Sequence, residues 1–251
     1  MTRTTVPAMS NESDSERFLA MISHELRTPT TAILGWAEML CREGADGEVF
    51  ARGVEVISRN ARLMARLIGQ LTDYSRVKAG CADLDFQTVE LAPALRAAIE
   101  TMAPLAGAKS VHIEAELDPS ADPVVGDPAC LQQVFTNLLS NAVKFSPEGG
   151  LVEVRLARSG DRAEVAVSDR GRGISREFLP HVFDPFRQGA CRSLNQQGLG
   201  LGLAIARQIV EGHGGEIRAE SGGEGMGATF TVSLRRTDAA PGGELSSGLL
   251  A

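Results

Sequence analysis

The chain has 251 residues, of which 43% are hydrophobic, 4% aromatic and 23% charged, and its formal net charge at pH 7 is −7. This length allows one large domain or two smaller ones, and the hydrophobic fraction is sufficient for a buried core. The negative charge and the few aromatic residues argue against a nucleic-acid-binding protein, which needs a basic face and, for single strands, stacking platforms.

No hydrophobic run approaches the roughly 18–20 residues of a membrane-spanning helix, and the N-terminus lacks the apolar region of a signal peptide. The cysteines are scattered, with no CxxC pair and no neighbouring histidines, at positions Cys41, Cys81, Cys130 and Cys191. A disulfide framework and a zinc site are therefore both disfavoured. We expect a cytoplasmic protein with reduced cysteines and without a membrane segment.

Residues 1–13 are polar, and we expect them to be disordered or to be the stump of a linker. Two helices are predicted next, over 14–42 and about 50–71, joined by a connection at 41–48 that contains two glycines. Their hydrophobic residues alternate in spacings of three and four, as in the seam of a helical bundle. The seam positions are Ile22, Leu26, Pro29, Ile33, Trp36 and Leu40, then Phe50, Val54, Ile57, Ala61, Met64, Ile68 and Leu71. Because two helices cover only one side of each seam, a second copy would complete a dimeric four-helix bundle.

The first helix contains the sequence SHELRTP at residues 23–29. At 100° per residue, His24 lies on the solvent side, and Thr28 follows one turn later on the same face. A neutral imidazole is a nucleophile when a base removes its ring proton, and Glu25 is adjacent. Pro29 leaves the Glu25 carbonyl without its helical donor and permits a bend. A single surface histidine is more often without function, so this prediction depends on the motifs that follow.

The second half of the chain alternates between strand and helix patterns, which is typical of an α/β sandwich. Strands are predicted at 111–117, 151–158, 163–169, 215–221 and 228–236, and helices around 92–107, 128–145 and 200–212. The middle helix has Asp127 at its N-cap and Pro128 at its first position. The predicted domains are a helical hairpin over 14–80, an α/β domain over 84–236 with a hinge near 79–83 before it, and a disordered tail over 237–251.

The middle helix carries one polar face. Asn137, Asn141 and Lys144 stand at positions i, i+4 and i+7. Amide oxygens beside a lysine suit a hydrated Mg²⁺ and the phosphates that it bridges. In isolation, such a face is as often simply exposed to solvent.

Two glycine motifs frame the last third of the chain. The sequence DRGRGI at 169–174 ends a predicted strand; its glycines allow a tight turn beside a flat ligand, and Asp169 can accept a hydrogen bond from an exocyclic amine. The sequence GLGLG at 198–202 precedes a helix whose N–H groups could bind phosphate. A loop of about 20 residues comes before it and contains FDPFRQ at 183–188; a loop of that length is usually functional, for example a lid.

In this order and at these spacings, the motifs resemble those of the sensor histidine kinases of two-component signalling. SHELRTP resembles the phosphoacceptor box, NLLSNAVKF the N box, DRGRGI the first glycine box, FDPF the F box and GLGLGLAI the second glycine box. The resemblance extends over roughly residues 14–236. It implies an α+β chain in which an antiparallel helical hairpin forms a dimeric four-helix bundle, followed by an ATP-binding sandwich of the GHKL (Bergerat) type.

The resemblance also implies a role for each matching position. His24 would be the phosphoacceptor, Glu25 its general base, and Thr28 the residue that positions water for dephosphorylation of the regulator. Asn141 would coordinate Mg²⁺, and Asp169 would read the adenine of ATP. The remaining nucleotide-binding positions would be Asn137 and Lys144 near the metal and phosphates, Gly171 and Gly173 in the adenine pocket, Gly198, Gly200 and Gly202 over the phosphates, and Arg187 near the γ-phosphate.

The implied function is an ATP-dependent protein-histidine kinase that acts as a homodimer and transfers the phosphoryl group from His24 to an aspartate in the receiver domain of a response regulator. Whether it also dephosphorylates that regulator stays open, as does phosphorylation in cis or in trans. The sensor input would come from a missing domain or a separate protein.

Two alternatives are a degenerate module that dimerises and binds nucleotide without transfer, and an ATP-hydrolysing conformational machine with the same nucleotide fold. The exposed His24 with Glu25 favours the kinase. The hydrolase is disfavoured because Phe135 and Thr136, rather than a carboxylate, precede Asn137.

Overall fold

The computed structural model describes residues 11–41, 46–78, 84–121, 123–189 and 199–237. The described residues form two compact units. The first contains residues 11–75 with 199–201, and the second contains the others from Arg76 onward. The predicted hinge at 79–83, the first ten residues and the tail after Thr237 lie outside the described residues.

The first unit is a pair of long helices, α1 (Asn11–Leu40) and α2 (Gly47–Lys78). Both were predicted, but α2 begins earlier and ends later than its hydrophobic pattern indicates. It begins at Gly47 because the side chain of Asp46 accepts a hydrogen bond from the backbone N–H of Val49 at 2.7 Å, which is an N-cap. Helix α1 continues through Pro29 without interruption.

Within a single chain, the predicted seam of α2 is covered only in part. Phe50, Val54 and Ile68 are 55%, 47% and 52% exposed. The side of α2 that is buried instead carries Gly53, Leu67 and Tyr74. The heptad pattern identifies hydrophobic positions but does not say which of them face the partner helix of the same chain.

Contacts between the two helices lie on this buried side of α2. A Cβ atom at Gly53 would lie 2.9 Å from the Leu40 side chain, so a larger residue here would require that side chain to shift. Further along, the hydroxyl of Thr30 lies 3.6 Å from the sulfur of Met64. The hairpin therefore packs through small and adaptable side chains, and a second hydrophobic face remains on its surface.

The second unit is an α/β sandwich. In chain order its elements are β1 (Gln87–Val89), α3 (Leu91–Ala108), β2 (His112–Leu117), β3 (Val124–Gly126), α4 (Pro128–Phe145), β4 (Leu151–Ser159), β5 (Arg162–Asp169), α5 (Gly202–Gly212), β6 (Glu216–Glu220) and β7 (Ala228–Arg235). The main sheet has the order β2-β4-β5-β7-β6, with β2 and β4 parallel and the other pairs antiparallel. The five predicted strands and three predicted helices are confirmed.

Two strands were missed. β1 and β3 have three residues each and form a separate antiparallel ribbon, which is too short for a visible alternation of hydrophobic and polar residues. Directly after β7, the backbone N–H of Thr237 donates to the Pro123 carbonyl at 2.9 Å, so this first residue of the predicted tail is still part of the second unit.

Helices α3, α4 and α5 cover one face of the main sheet. Strands β4 and β5 alternate between buried and more exposed residues, as expected for a sheet with one covered face. Helix α4 lies in the middle of this layer, between α3 and α5. Its fully buried side chains include Leu131, Val134, Phe135, Leu138 and Leu139. Because the position of α4 is fixed by this core, its opposite face is held in a defined place.

The start of α4 is fixed by the predicted N-cap. The Oδ1 atom of Asp127 accepts a hydrogen bond from the Cys130 backbone at 3.0 Å, and Oδ2 accepts one from the Asp85 backbone at 3.2 Å. The backbone N–H of Asp127 donates to Nε2 of His213 at 2.9 Å, while Nδ1 of that ring lies 2.7 Å from the Ile209 carbonyl. With a backbone N–H at Nε2 and a carbonyl, which can only accept, at Nδ1, the two contacts suit the His213 tautomer that carries its proton on Nδ1.

We expect Asp127→Ala to lower the free energy of unfolding by about 1 kcal/mol at pH 7, a typical loss for an N-cap. Burial alone would raise the pKa of Asp127, but hydrogen bonds from the backbone of Cys130, Asp85 and Ala129 outweigh it and lower the pKa. A carboxylate with a lowered pKa stabilises the fold above its unfolded pKa of about 3.9, and this contribution is lost as the pH falls through the folded pKa.

The difference in the free energy of unfolding between wild type and Asp127→Ala should therefore become smaller below about pH 4, as measured by chemical denaturation. Asp127→Asn, which retains an oxygen acceptor, should lose less stability than Asp127→Ala at pH 7. A difference that does not change with pH would contradict this account.

Candidate functional site

The turn after β5 holds a buried carboxylate. Asp169 is 8% exposed, and its Oδ1 atom accepts a hydrogen bond from the Gly171 backbone at 2.8 Å. Burial raises the pKa of Asp169, and hydrogen bonds from the Gly171 and Ala228 backbones and the charge of Arg172 offset this only in part. A Cβ atom at Gly171 would collide with the Phe145 carbonyl, which explains the glycine at this position.

A second glycine-rich segment, missed in the sequence analysis, lies against this turn. Residues 222–227, between β6 and β7, have the sequence GGEGMG. The backbone N–H of Gly227 donates to the Gly171 carbonyl at 3.2 Å, and that of Gly225 donates to the Arg172 carbonyl at 2.6 Å. Four glycines in six residues between two strands are a signal that could have been recognised.

These two segments approach backbone to backbone. Gly173 has φ +68°, and a Cβ atom there would collide with the Gly223 carbonyl; a Cβ atom at Gly227 would collide with the Asp169 carbonyl. The Ser221 hydroxyl joins them, because it donates to the Gly227 carbonyl at 2.6 Å and accepts from the Ile174 backbone at 3.0 Å. Close backbone contacts therefore require glycine at 171 and 173, and the role of these residues in an adenine pocket stays a prediction.

An open cavity of about 370 Å³ adjoins the turn. It is lined by Asp169 together with residues 220–222 and 226–229. Its size lies in the lower part of the range usual for small-molecule sites. Thr229 is part of the lining, and its hydroxyl lies 2.9 Å from that of Ser168. The sequence analysis also missed Ser221 and Thr229.

The polar face of α4 meets the beginning of α5. A Cβ atom at Gly202 would lie 3.6 Å from the amide oxygen of Asn137. The Asn137 amide nitrogen is buried and has no hydrogen-bond partner among the described residues. Asn141 and Lys144 follow on the same face and are partly exposed. The free N–H groups at the start of α5 and this face of α4 thus form one polar surface.

The helix that follows the second glycine motif begins later than the sequence predicts. Helix α5 begins at Gly202, two residues later than predicted, because Gly200 has φ +68° and cannot be helical. Gly198 lies outside the described residues.

Arg187 makes a partly exposed ion pair in this structure, and its contact with the γ-phosphate stays a prediction. Its Nε atom lies 3.4 Å from Oδ2 of Asp184, which also lies 2.8 Å from Nδ1 of His181. Phe183 anchors the same loop to the sheet through an edge-to-face contact with Phe230 at 6.2 Å.

The first unit presents the predicted nucleophile. His24 and Thr28 are exposed on one face of α1, Glu25 is half-buried beside them, and Pro29 is buried on the other side. The Thr28 hydroxyl makes a long hydrogen bond of 3.4 Å to the His24 carbonyl. The predicted orientation of His24 towards solvent is therefore confirmed.

Comparisons with known proteins assign both units. Residues 14–80 match the family described as His Kinase A (phospho-acceptor) domain. Residues 126–238 match the family described as Histidine kinase-, DNA gyrase B-, and HSP90-like ATPase. The chain belongs to the sensor histidine kinases of two-component systems, and its two units are the two domains of their catalytic core.

Several curated proteins are similar to the chain. The virulence sensor protein BvgS of Bordetella bronchiseptica is 38% identical over 88% of this chain and 18% of its own length. The circadian input-output histidine kinase CikA of Synechococcus elongatus is 38% identical over 86% of this chain and 29% of its own length. The sensor-like histidine kinase SenX3 of Mycobacterium bovis is 35% identical over 89% of this chain and 54% of its own length. The chain thus spans between about a fifth and about half of these relatives.

Solved structures agree with the fold. Full-length ShkA in complex with AMPPNP has a TM-score of 0.65 and 29% identity, over 90% of this chain and 47% of that one. Histidine kinase ThkA in complex with the response regulator protein TrrA has a TM-score of 0.70 over 88% of this chain and 61% of that one, and at 23% identity it supports the fold alone. Within the part of the chain that the structure describes, no helix combines the length and hydrophobicity needed to cross a bilayer.

We expect that Asp169→Asn does not lower the melting temperature at pH 7. The asparagine oxygen can still accept the Gly171 hydrogen bond, and the substitution removes a charge that burial disfavours. Because the folded pKa is raised, ionisation of Asp169 favours the unfolded chain above that pKa, and this penalty disappears as the pH falls below the unfolded pKa.

Thermal unfolding at pH 7 and pH 4 measures the effect. Asp118→Asn is the matched control. Hydrogen bonds from the side chain and backbone of Ser120 lower the pKa of Asp118, so this substitution should lower the melting temperature at pH 7 rather than leave it unchanged. A clear loss of stability in Asp169→Asn at pH 7 would show that the charged carboxylate stabilises the fold.

Proposed function

We propose that the chain is the catalytic core of an ATP-dependent protein-histidine kinase that phosphorylates His24 and transfers the phosphoryl group to an aspartate of a response regulator. The observation that carries this proposal is the exposure of His24 on α1, inside the region matched by the phosphoacceptor family and on the same chain as an ATPase domain.

ATP binds to the second unit in this proposal. Asp169 accepts a hydrogen bond from the adenine amino group, at a turn where Gly171 and Gly173 let the backbone approach a flat ring. The buried amide nitrogen of Asn137, which has no partner among the described residues, lies next to the start of α5 and is a suitable donor for a phosphate oxygen. The similarity to ShkA, which was solved with AMPPNP, supports a nucleotide at this site.

Mg²⁺ fits the donor set on the same face of α4. Amide oxygens are among the hard ligands that Mg²⁺ uses in small numbers beside phosphates and water, and Asn141 is a partly exposed amide on the face that Asn137 and Lys144 share. Asn141 would hold the ion, and Lys144 would add positive charge for the phosphates. The ion would supply neutralisation of the charge that develops on the phosphates during transfer. Gly198, Gly200 and Gly202 would cover the phosphates, with Arg187 released from Asp184 as a further contact.

The reaction balances without any further reactant. A ring nitrogen of His24 attacks the γ-phosphorus, the bond from that phosphorus to the bridging oxygen of ADP breaks, and the ring proton passes to the Glu25 carboxylate. An aspartate oxygen of the response regulator later displaces the His24 nitrogen at phosphorus, and the imidazole takes its ring proton back from Glu25 as it leaves. Thr28 is placed to orient water for dephosphorylation. These steps need the ATP domain to reach His24, and motion about the predicted hinge at 79–83 would permit this.

The hydrophobic surface of the helical hairpin supports a homodimer. Five large hydrophobic side chains on α1 and α2 are about half exposed, namely Leu34, Met39, Phe50, Val54 and Ile68. A second copy would bury them and complete a four-helix bundle. Family membership supports a receiver domain as the other partner, and the use of ATP supports a cytoplasmic location.

The proposal is tested by incubating the chain with Mg²⁺ and γ-labelled ATP. Wild type should acquire acid-labile, base-stable label, and His24→Gln should reduce it at least 100-fold. His112→Gln replaces an exposed histidine of β2 and is the matched control, with labelling within twofold of wild type.

The same assay separates the alternatives. ATP binding without label or ADP release would indicate a degenerate binding module. ADP release without label would indicate a hydrolase. Label that persists in His24→Gln would overturn the assignment of the phosphoacceptor.

The adenine contact gives a separate prediction. Asp169→Asn should weaken ATP binding at least tenfold at pH 7, because the amide loses the charged acceptor. In wild type, affinity should fall as the pH falls through the raised pKa of Asp169, which lies above the ordinary value for an aspartate. Titration calorimetry between pH 4.5 and pH 8 checks both statements, and equal affinity of the two proteins would contradict the assignment.

A further inference from the structure

Lys109 reaches the C-terminal end of α4 from the neighbouring helix. It is the residue directly after α3, and its Nζ atom donates to the carbonyls of Val143 at 3.0 Å, Lys144 at 2.9 Å and Ser146 at 2.5 Å. The backbone carbonyl of Lys109 also accepts a hydrogen bond from Gly149 at 3.1 Å. The residue that caps the C-terminus of α3 thus holds both the last turn of α4 and the loop that follows it.

This contact suits the end of a helix. The last four carbonyls of a helix have no intrahelical donor and carry the negative end of the helix dipole, so a cation with several donors is favourable there. An ammonium group has three donors around one point, whereas the donors of a guanidinium lie in a plane and point away from each other. Of the 25 basic residues in the chain only three are lysines, and two of these, Lys109 and Lys144, are at this helix end.

The segment that Lys109 holds belongs to the nucleotide site. Its bonded carbonyls flank Phe145, and the Phe145 carbonyl accepts the Arg172 backbone N–H at 3.3 Å and lies against Gly171. The Arg172 guanidinium lies 4.0 Å from the centre of the Phe145 ring. A shift of this last turn would therefore move both Lys144 and the turn that carries Asp169.

We propose that Lys109 is a positioning residue for ATP binding: its ammonium group fixes the last turn of α4, so that Lys144 and the Phe145 carbonyl keep the geometry that the Asp169–Gly173 turn requires. This inference rests on the proposed function, because it concerns the same nucleotide site. Lys109 acts through the backbone of 143–146 and does not contact the nucleotide.

Lys109→Met removes the ammonium group and retains most of the side-chain stem. We expect its dissociation constant for ATP with Mg²⁺ to rise about tenfold, while the rate of autophosphorylation at saturating ATP stays within threefold of wild type. Lys109→Arg keeps the charge without the three converging donors, and its dissociation constant should rise at least threefold. Arg158→Met is the matched control; Arg158 is exposed and donates to the Gly160 carbonyl of its own turn, and its removal should leave affinity within twofold of wild type.

A double-mutant cycle distinguishes positioning from general stability. If Lys109 acts through the last turn of α4, Lys109→Met should weaken ATP binding by less than threefold in a Lys144→Met background, because part of what it positions has been removed. A role in stability alone would lower the melting temperature and leave the dissociation constant unchanged, and this result would overturn the proposal.

The outcomes also separate this inference from the proposed function. If wild type does not bind ATP, the proposed function fails. If wild type binds ATP and Lys109→Met binds it within twofold of wild type, the role of Lys109 is wrong and the proposed function stands. If Lys109→Met does not fold, Lys109→Arg decides, because ATP affinity equal to that of wild type would overturn the proposal.

Discussion

Two glycine-rich turns touch through their backbones, and the candidate nucleotide pocket depends on this contact. The backbone N–H groups of Gly225 and Gly227 donate to carbonyls of the turn at 169–173, and the contact leaves no room for a Cβ atom at Gly173 or Gly227. Side chains at such positions would push apart the ends of β5 and β7, whose eight residue pairs otherwise run to Asp169 and Ala228. The pocket is therefore set by main-chain geometry, which the sheet holds in register, and Asp169 supplies its specific polar group.

The chain accepts local costs where the proposed chemistry occurs. Asp169 is a buried carboxylate that the fold alone would prefer uncharged, and the Asn137 amide nitrogen is buried without a partner among the described residues. Within the described part of the chain, the only polar residues besides Asp169 that are buried as a whole are Ser146 and Ser233. Polar groups of this kind are expensive to keep unpaired, so their presence favours a ligand that pairs with them.

The sequence predicted those features that depend on local patterns. Alternating strands such as β4, the N-cap Asp127 and the exposure of His24 follow from periodicity and capping rules over a few residues. The sequence did not predict which side of α2 faces α1, because a heptad pattern shows hydrophobic positions but does not show which helix each of them contacts. The ribbon of β1 and β3 is too short for periodicity, and the contacts of Gly227 and Lys109 join residues more than thirty positions apart. Motif order identified the family, and tertiary contacts identified the residues that hold its motifs in place.

The hydrophobic surface of α1 and α2 has a consequence for how the two units respond to dilution. If Phe50, Val54 and Ile68 are covered by a second copy, part of the free energy that holds the hairpin together is a mass-action term, and each tenfold dilution removes about 1.4 kcal/mol per mole of dimer. The second unit has a core of its own, with fully buried side chains such as Leu138 and Val165. Cellular copy number would then set the fraction of chains with an assembled phosphoacceptor hairpin.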